Sequence, residues 1–322
     1  MTITNNSGIP LALAVWLLHD DYDYINEPNY VSATGLLKPV RQHILSKRVP
    51  REMIAEDVED FVARGLGNSL HSAIERVWID QYAIPLKKLG YPQSVIDAVL
   101  VNPTEQQVKD NPDGIFVYLE QREKRKLGKY TIGGKFDLVL EGILHDFKST
   151  SAYSWVYGNR AEDFILQGSI YRWLNPKKIT SDYIRICYIF TDWQKAQALS
   201  NPNYPAKRVE QQDYPLQEPL QIEEWIKNRI ALIERYKDAD DDDIPECTPE
   251  ELWMSEPKYK YYADPNKTSG RSTKNFTDAA KAREHQSKAG KGIIITEHAV
   301  PKRCGYCAAA PICKQRERLF ND

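Results

Sequence analysis

The 322-residue chain has no run of about 18 apolar residues, the length a membrane-spanning helix needs. Its longest apolar stretch, Ile9 to Leu18, is too short, no Lys or Arg precedes it, and His19, Asp20 and Asp21 end it. It fits neither a span nor a secretory signal and reads as a buried helix starting near Pro10. No membrane partner and a cytoplasmic location are therefore expected. An excess of one charge is missing too: 43 Lys and Arg against 45 Asp and Glu leave a net charge of −2. That excludes a uniformly basic DNA-coating protein but leaves room for a local basic groove. Cysteines are few and odd in number, five, with Cys304, Cys307 and Cys313 packed together. This excludes the paired framework of a small secreted protein. There is no internal repeat and no helicase motif. What remains, with 42% hydrophobic and 27% charged residues, is a folded chain long enough for about two domains.

Along the chain, helical spacing of Leu70, Ile74, Val77 and Trp78 marks a helix after a helical region from Arg51 that Gly65 and Gly67 are expected to break. Short strands are expected at Phe116–Leu119, Tyr130–Ile132, Lys135–Leu140 and Ile143–Phe147, a helix at Asp163–Leu174, a buried strand at Asp182–Phe190 and an amphipathic helix at Leu220–Tyr236. This order implies a layered α/β core. The acidic run Asp238–Asp243 reads as a solvated linker, followed by a polar, loop-rich region.

The segment from Gly133 to Lys148 carries the most chemistry. Two apolar runs flank Glu141-Gly142, which suits a two-residue hairpin turn. The pairing is then set: Leu140 faces Ile143, Val139 faces Leu144, Leu138 faces His145, and Asp137 faces Asp146. Like charges placed opposite each other are destabilising unless a cation lies between them. Lys148, two residues beyond Asp146, projects from the same face. Two acids and an amine around one point suit a hard divalent ion such as Mg²⁺ or Mn²⁺. The bland alternative is a solvated face of an edge hairpin.

The order Asp137, then Asp146-Phe147-Lys148, resembles the signature of the PD-(D/E)XK nuclease superfamily, and the wider pattern resembles its RecB-like branch, which includes helicase–nucleases, CRISPR-adaptation nucleases and phage exonucleases. Gly67-Asn-Ser-Leu-His71 looks like the branch's Gly-x-x-x-His motif, Glu120 lies where the family often has an acid, and Gln167-Gly-Ser-Ile-Tyr171 matches its Gln-x-x-x-Tyr motif. Phe136 stands where the strict motif has Pro. The resemblance implies a restriction-endonuclease-like α/β core, a central mixed sheet flanked by helices, at 65–237, an N-terminal helical region at 1–64 and a metal-stapled loop-rich C-terminal lobe at 238–322. It implies one or two divalent ions held by His71, Asp137, Asp146 and the Phe147 carbonyl, Lys148 orienting or activating the attacking water, Gln167 and Tyr171 lining the site, and 5′-phosphate products. It also implies a metal-dependent deoxyribonuclease, most simply an exonuclease, in recombination, repair or phage DNA processing. Its partners would be single-stranded DNA or DNA ends and a helicase or recombinase, in a bacterial or phage-host cytoplasm. The alternatives are a structure-selective endonuclease and a catalytically idle binding module.

Cys304, Cys307 and Cys313 form a C-x2-C-x5-C triplet of soft ligands. Cys247 is the natural fourth ligand, whereas Cys187 sits in an apolar strand where a free Cys acts as a small hydrophobe. The triplet matches the C-terminal triplet of iron–sulfur nucleases in the RecB-like branch, whose fourth cysteine lies upstream rather than downstream of the nuclease motifs. Spacing alone accepts a 4Fe–4S cluster or Zn²⁺. Arg122, Lys124, Arg125, Lys126 and Lys129, the basic residues from Lys267 to Lys291, and Tyr153, Trp155 and Tyr157 are candidate contacts to a nucleic-acid strand.

Overall fold

β-Branched and aromatic residues concentrate between Val99 and Pro215, and there the main sheet forms. The computed structural model describes residues 2–20, 23–158 and 160–321. Six strands make one sheet: β1 (Val99–Val101), β2 (Ile115–Leu119), β3 (Leu138–Leu140), β4 (Ile143–Thr150), β5 (Tyr183–Phe190) and β6 (Val209–Pro215). They lie in chain order across it. β1–β2 and β4–β5 pair parallel, and the other three pairs are antiparallel. Helix Val62–Asp80 packs on β4 and helix Ala161–Leu174 on β5. Between β2 and β3 the chain inserts Arg122–Leu127 and Tyr130–Lys135, which join Tyr30–Ser32 in a three-stranded sheet. The protein is thus mixed α/β, with mixed sheets flanked by helices.

Two compact units divide the chain. The first is Met1–Lys38 with Ala55–Ala231 and holds the six-stranded sheet. Its core includes Val139, Leu144, Ile184, Ile186 and Ile226, all fully buried, and each such side chain stabilises the fold by about 1.5–3 kcal/mol. The second is Pro39–Ile54 with Leu232–Asp322. In it an antiparallel sheet, Lys258–Tyr262 between Lys274–Phe276 and Ile293–Glu297, carries helix Ala279–Ala289. Residues 39–54, expected with the N-terminal region, belong to this second unit.

Several local expectations are corrected. Val62–Asp80 is one unbroken helix through Gly65 and Gly67. Glycine inside a helix costs about 1 kcal/mol against alanine without ending it. At Gly65 a Cβ would stand 3.0 Å from Leu17 Cδ2, so the missing side chain lets the N-terminal helix approach. That helix, Leu11–Leu18, is not buried: only Ala14 and Leu17 are, while Leu11 is 79% exposed. The acidic run is no linker. Asp241 binds the buried Arg41 guanidinium and the Lys314 backbone N–H, and Asp242 binds Lys314 and Arg318. Among the described residues no helix is long and apolar enough to cross a membrane.

Candidate active site

Glu141 and Gly142 have φ values of 49° and 80°, the two positive values a type I′ turn requires. The turn sets the expected register of Leu140 with Ile143, Val139 with Leu144 and Leu138 with His145. The ladder ends there. Lys135–Leu140 is not one strand, because the chain bends at Asp137 beside the fully buried Phe136. Asp137 and Asp146 are therefore not a cross-strand pair. Asp137 Oδ2 accepts the Phe147 backbone N–H at 3.0 Å, and its carbonyl accepts the Glu120 N–H at 3.0 Å. The bend separates two like charges that a continued ladder would oppose.

Three elements converge on this bend. The Val62–Asp80 helix presents His71, whose Nδ1 lies 3.4 Å from Asp137 Oδ1 and 3.7 Å from Glu120 Oε1, while its Nε2 lies 3.2 Å from the Phe147 carbonyl oxygen. Glu120, just after β2, has a φ of 50°, a left-handed conformation rarely adopted by a non-glycine residue and a mark of local strain. Lys135 Nζ grips its other oxygen at 2.6 Å. The carboxylates of Asp137, then of Glu120, push His71 up to about 10 against its burial. Burial and the charge of Glu120 raise Glu75, one helical turn beyond His71.

Asp146 is 3% exposed on β4. Burial drives its carboxyl above the ordinary range, and the Lys148 ammonium opposes that shift. Lys148 Nζ lies 2.5 Å from Asp146 Oδ2, yet that oxygen receives no well-aligned hydrogen bond. Its partner Oδ1 accepts from Gln167 Nε2 at 3.0 Å, and Gln167 Nε2 lies 3.5 Å from Tyr171 Oη. Gln167 and Tyr171 share a face of helix Ala161–Leu174 at i, i+4. Tyr171 lies against Gly134, where a Cβ would stand 2.7 Å from its ring.

His71, Glu120 and Asp137 offer ligand atoms within 4.8 Å of one another, a group that could hold a metal ion. The fit is chemical as well as spatial: carboxylate oxygens and an imidazole suit Mg²⁺ or Mn²⁺, the Phe147 carbonyl neighbours His71, and the buried Asp146 Oδ2 has no hydrogen-bond partner. Asp146 itself lies outside the three-ligand group. Glu75 and Lys135 are the residues sequence reasoning missed. The i, i+4 spacing from His71 would have flagged Glu75, whereas nothing local pairs Lys135 with Glu120.

In the second unit Cys247, Cys304, Cys307 and Cys313 line one small cavity of about 20 Å³, the room of roughly one water. Arg41, 2% exposed, donates from Nε to Cys313 Sγ at 3.4 Å and from Nη1 to the carbonyls of Asp241 and Ile244. Gln315 clamps both backbone groups of Cys247 at 2.9 Å. Burial pushes the Cys247 thiol up to about 12. Among the described residues the cysteines form no group within 4.8 Å. Tetrahedral zinc, with Zn–S near 2.3 Å, needs sulfurs about 3.8 Å apart. Cys187 stands apart in the first unit, half-buried and 3.8 Å from His145 Nδ1.

Of the basic stretch before the hairpin, Arg122, Lys124, Arg125 and Lys126 lie on a strand and Lys129 in the turn after it, and Arg122 pairs with Asp23, Lys124 with Glu27, and Arg125 with Glu223. Tyr153 and Tyr157 meet at a tilt of 39° with ring centres 4.6 Å apart, while Trp155 meets Tyr188 and Phe190. The three aromatics are not one platform.

No family model matches the chain, and no curated protein matches it. Among solved structures it is similar to SSO0001, with 17% identity and a TM-score of 0.40 over 69% of this chain and 84% of that one. It is also similar to a phage-related exonuclease from Haemophilus somnus 129PT, with 15% identity and a TM-score of 0.26 over 38% of this chain and 60% of that one. Likenesses this slight carry no argument about activity.

Proposed function

We propose that the chain is a divalent-metal-dependent deoxyribonuclease of the RecB-like PD-(D/E)XK branch, with a restriction-endonuclease-like core, acting as an exonuclease on DNA ends or single strands. The observation that carries this is the meeting of His71, Glu120, Asp137 and the Phe147 carbonyl at one bend, with the paired Asp146 and Lys148 on either side of Phe147 along β4. A binding module has no use for acids facing a phosphate. Asp137, Glu120 and His71, with Asp146 and the Phe147 carbonyl, would hold Mg²⁺ or Mn²⁺, which would offset the negative charge building on the phosphate oxygens. Lys148, held by Asp146, orients the attacking water. Gln167 fixes the Asp146 carboxylate, and Tyr171 backs Gln167. Hydrolysis leaves a 5′-phosphate and a 3′-hydroxyl.

The cysteine pocket is proposed to hold a 4Fe–4S cluster that staples the C-terminal lobe. Sulfurs standing wider than one zinc ion needs favour the cluster, and the small enclosed space favours zinc; visible absorbance of the purified protein separates the two. A helicase or recombinase partner and a cytoplasmic setting, bacterial or phage-host, complete the proposal.

The test incubates the protein with Mg²⁺ or Mn²⁺ and linear or circular DNA, single- or double-stranded, beside Lys148→Ala. Metal-dependent loss of linear DNA alone, abolished by Lys148→Ala, is expected. Cutting of circles would make it an endonuclease. No cleavage with either ion would leave a binding module.

A further inference from the structure

The sheet face that carries Asp146 and Lys148 continues past the lysine. Alternation puts Asp146, Lys148 and Thr150 on one side of β4. Parallel pairing sets Tyr188 beside Lys148 and Phe190 beside Thr150. Antiparallel pairing sets Gln212 and Tyr214 beside Ile186 and Ile184 on that same face. Phe164, one turn before Gln167 on the covering helix, packs 6.4 Å from Tyr188 and 5.5 Å from Tyr214 between ring centres. Trp155 meets Tyr188 edge-on at 5.2 Å. Among these rings lies a cavity of about 350 Å³ whose lining includes Lys148, Thr150, Trp155, Arg160, Gln212 and Tyr214.

We infer that this cavity receives one unpaired nucleotide next to the phosphate held at the Asp146–Lys148 site, so that the strand entering the site is single-stranded. The inference rests on the nuclease reading above. A cavity of this size is at the small end of ligand pockets and holds a nucleotide but no stacked base pair. Its chemistry matches a nucleotide part by part. Aromatic rings offer a base a stacking surface whatever its identity. The Gln212 amide, which bonds to no described residue, offers a donor and an acceptor to a base edge. Lys148 and Arg160 supply positive charge for flanking phosphates; the Arg160 guanidinium lies over Phe164 at 5.5 Å and is paired only loosely, with Asp163 at 3.6 Å. The neighbouring cavity beside Tyr153 and Tyr157 has no cation in its lining and includes Asp192, so it lacks the phosphate half of this recognition.

The test uses the full chain without added divalent ion and oligonucleotides carrying 2-aminopurine at either end or in the middle. Each is offered as a single strand and as a blunt duplex, with a distal fluorescein reporting binding by anisotropy. The wild type is expected to quench at least one single-stranded probe and none of the duplexes. Trp155→Ala should abolish the quenching and weaken single-strand binding about 10-fold, and Trp155→Phe should restore both. Gln212→Ala, on an exposed strand position, should weaken binding a few-fold with an unchanged melting temperature. Binding without quenching, equal quenching of duplexes, or wild-type quenching by Trp155→Ala would overturn the inference. Cleavage of the same probes is then read with Mg²⁺ or Mn²⁺. Quenching without cleavage would keep the pocket and sink the nuclease reading. Cleavage of blunt duplex as fast as single strand, with no quenching, would do the reverse. No DNA binding at all would sink both.

Discussion

The cleft around Asp146 and the pocket around Cys304 both gather metal-ligand side chains, but different physics assembles them. In the cleft each ligand stands on or beside a strand or helix and already has a partner: His71 with Asp137 and Glu120, Glu120 with Lys135, Asp146 with Lys148 and Gln167. Charge is balanced by charge, so the geometry is set by the sheet. In the pocket the thiols sit on loops and short 3₁₀ turns, and burial pushes those of Cys247, Cys304 and Cys307 up. Their positions are set by a buried arginine and a glutamine that grips the backbone. Mutation of the cleft should therefore cost activity, and mutation of the pocket should cost folding.

The largest expected effect is on turnover. Asp146→Asn keeps the volume and the Gln167 neighbour but removes the charge beside Lys148, so cleavage should fall about 10²–10⁴-fold with little change in melting temperature. Initial rates beside a thermal melt check this; loss of the fold with the rate would show that the cleft, too, is held by its charges. Next, Arg41→Ala leaves Asp241 without its buried partner and should destabilise the second unit by about 3–5 kcal/mol. A shifted urea midpoint with early proteolysis of residues 232–322 is expected, and an unchanged midpoint would break the contrast.

A smaller effect separates two glycines of one helix. A Cβ at Gly67 meets nothing within 4 Å, so Gly67→Ala should stabilise by about 0.5–1 kcal/mol. At Gly65 the Leu17 contact at 3.0 Å should cancel that gain. Denaturation of the two variants measures the difference. The smallest effect lies at Asp57. Burial works against its charge, but hydrogen bonds from Asn6 N–H, Thr4 Oγ1 and Glu59 N–H hold its carboxyl at about 2. Its folded value lies below its unfolded one, so its contribution is present above about pH 4 and lost as pH falls toward about 2. Asp57→Asn should flatten the acid limb of stability in that window and leave neutral pH nearly unchanged apart from the lost hydrogen bonds, as pH-dependent melts would show.

Much of the cleft was legible in the sequence because its parts are local. The Glu141-Gly142 turn needs two positive φ values, and alternation from it fixes which residues of β3 and β4 pair. His71 and Gln167 with Tyr171 were legible only as pieces of a resembling pattern, and the structure brings His71 to Asp137 and Glu120 and Gln167, with Tyr171 behind it, to Asp146. The apolar run at Ile9–Leu18 misled because hydrophobicity says a residue prefers burial, not that a neighbour exists to bury it. The acidic run misled because like charge along the chain says nothing of the cations that fold against it.

By itself the sequence determined the hairpin register, the strand and helix periods and the crowding of three thiols, since each follows from bonds and spacings within a few residues. Only the tertiary structure decided that Asp137 leaves the ladder, that Lys135 and Glu75 join Glu120, that Arg41 reaches Asp241 two hundred positions away, and that Trp155, Phe164 and Tyr214 enclose a cavity beside Lys148. Those contacts close long loops, and no periodicity along a chain encodes which distant side chains will meet when a sheet and its helices pack.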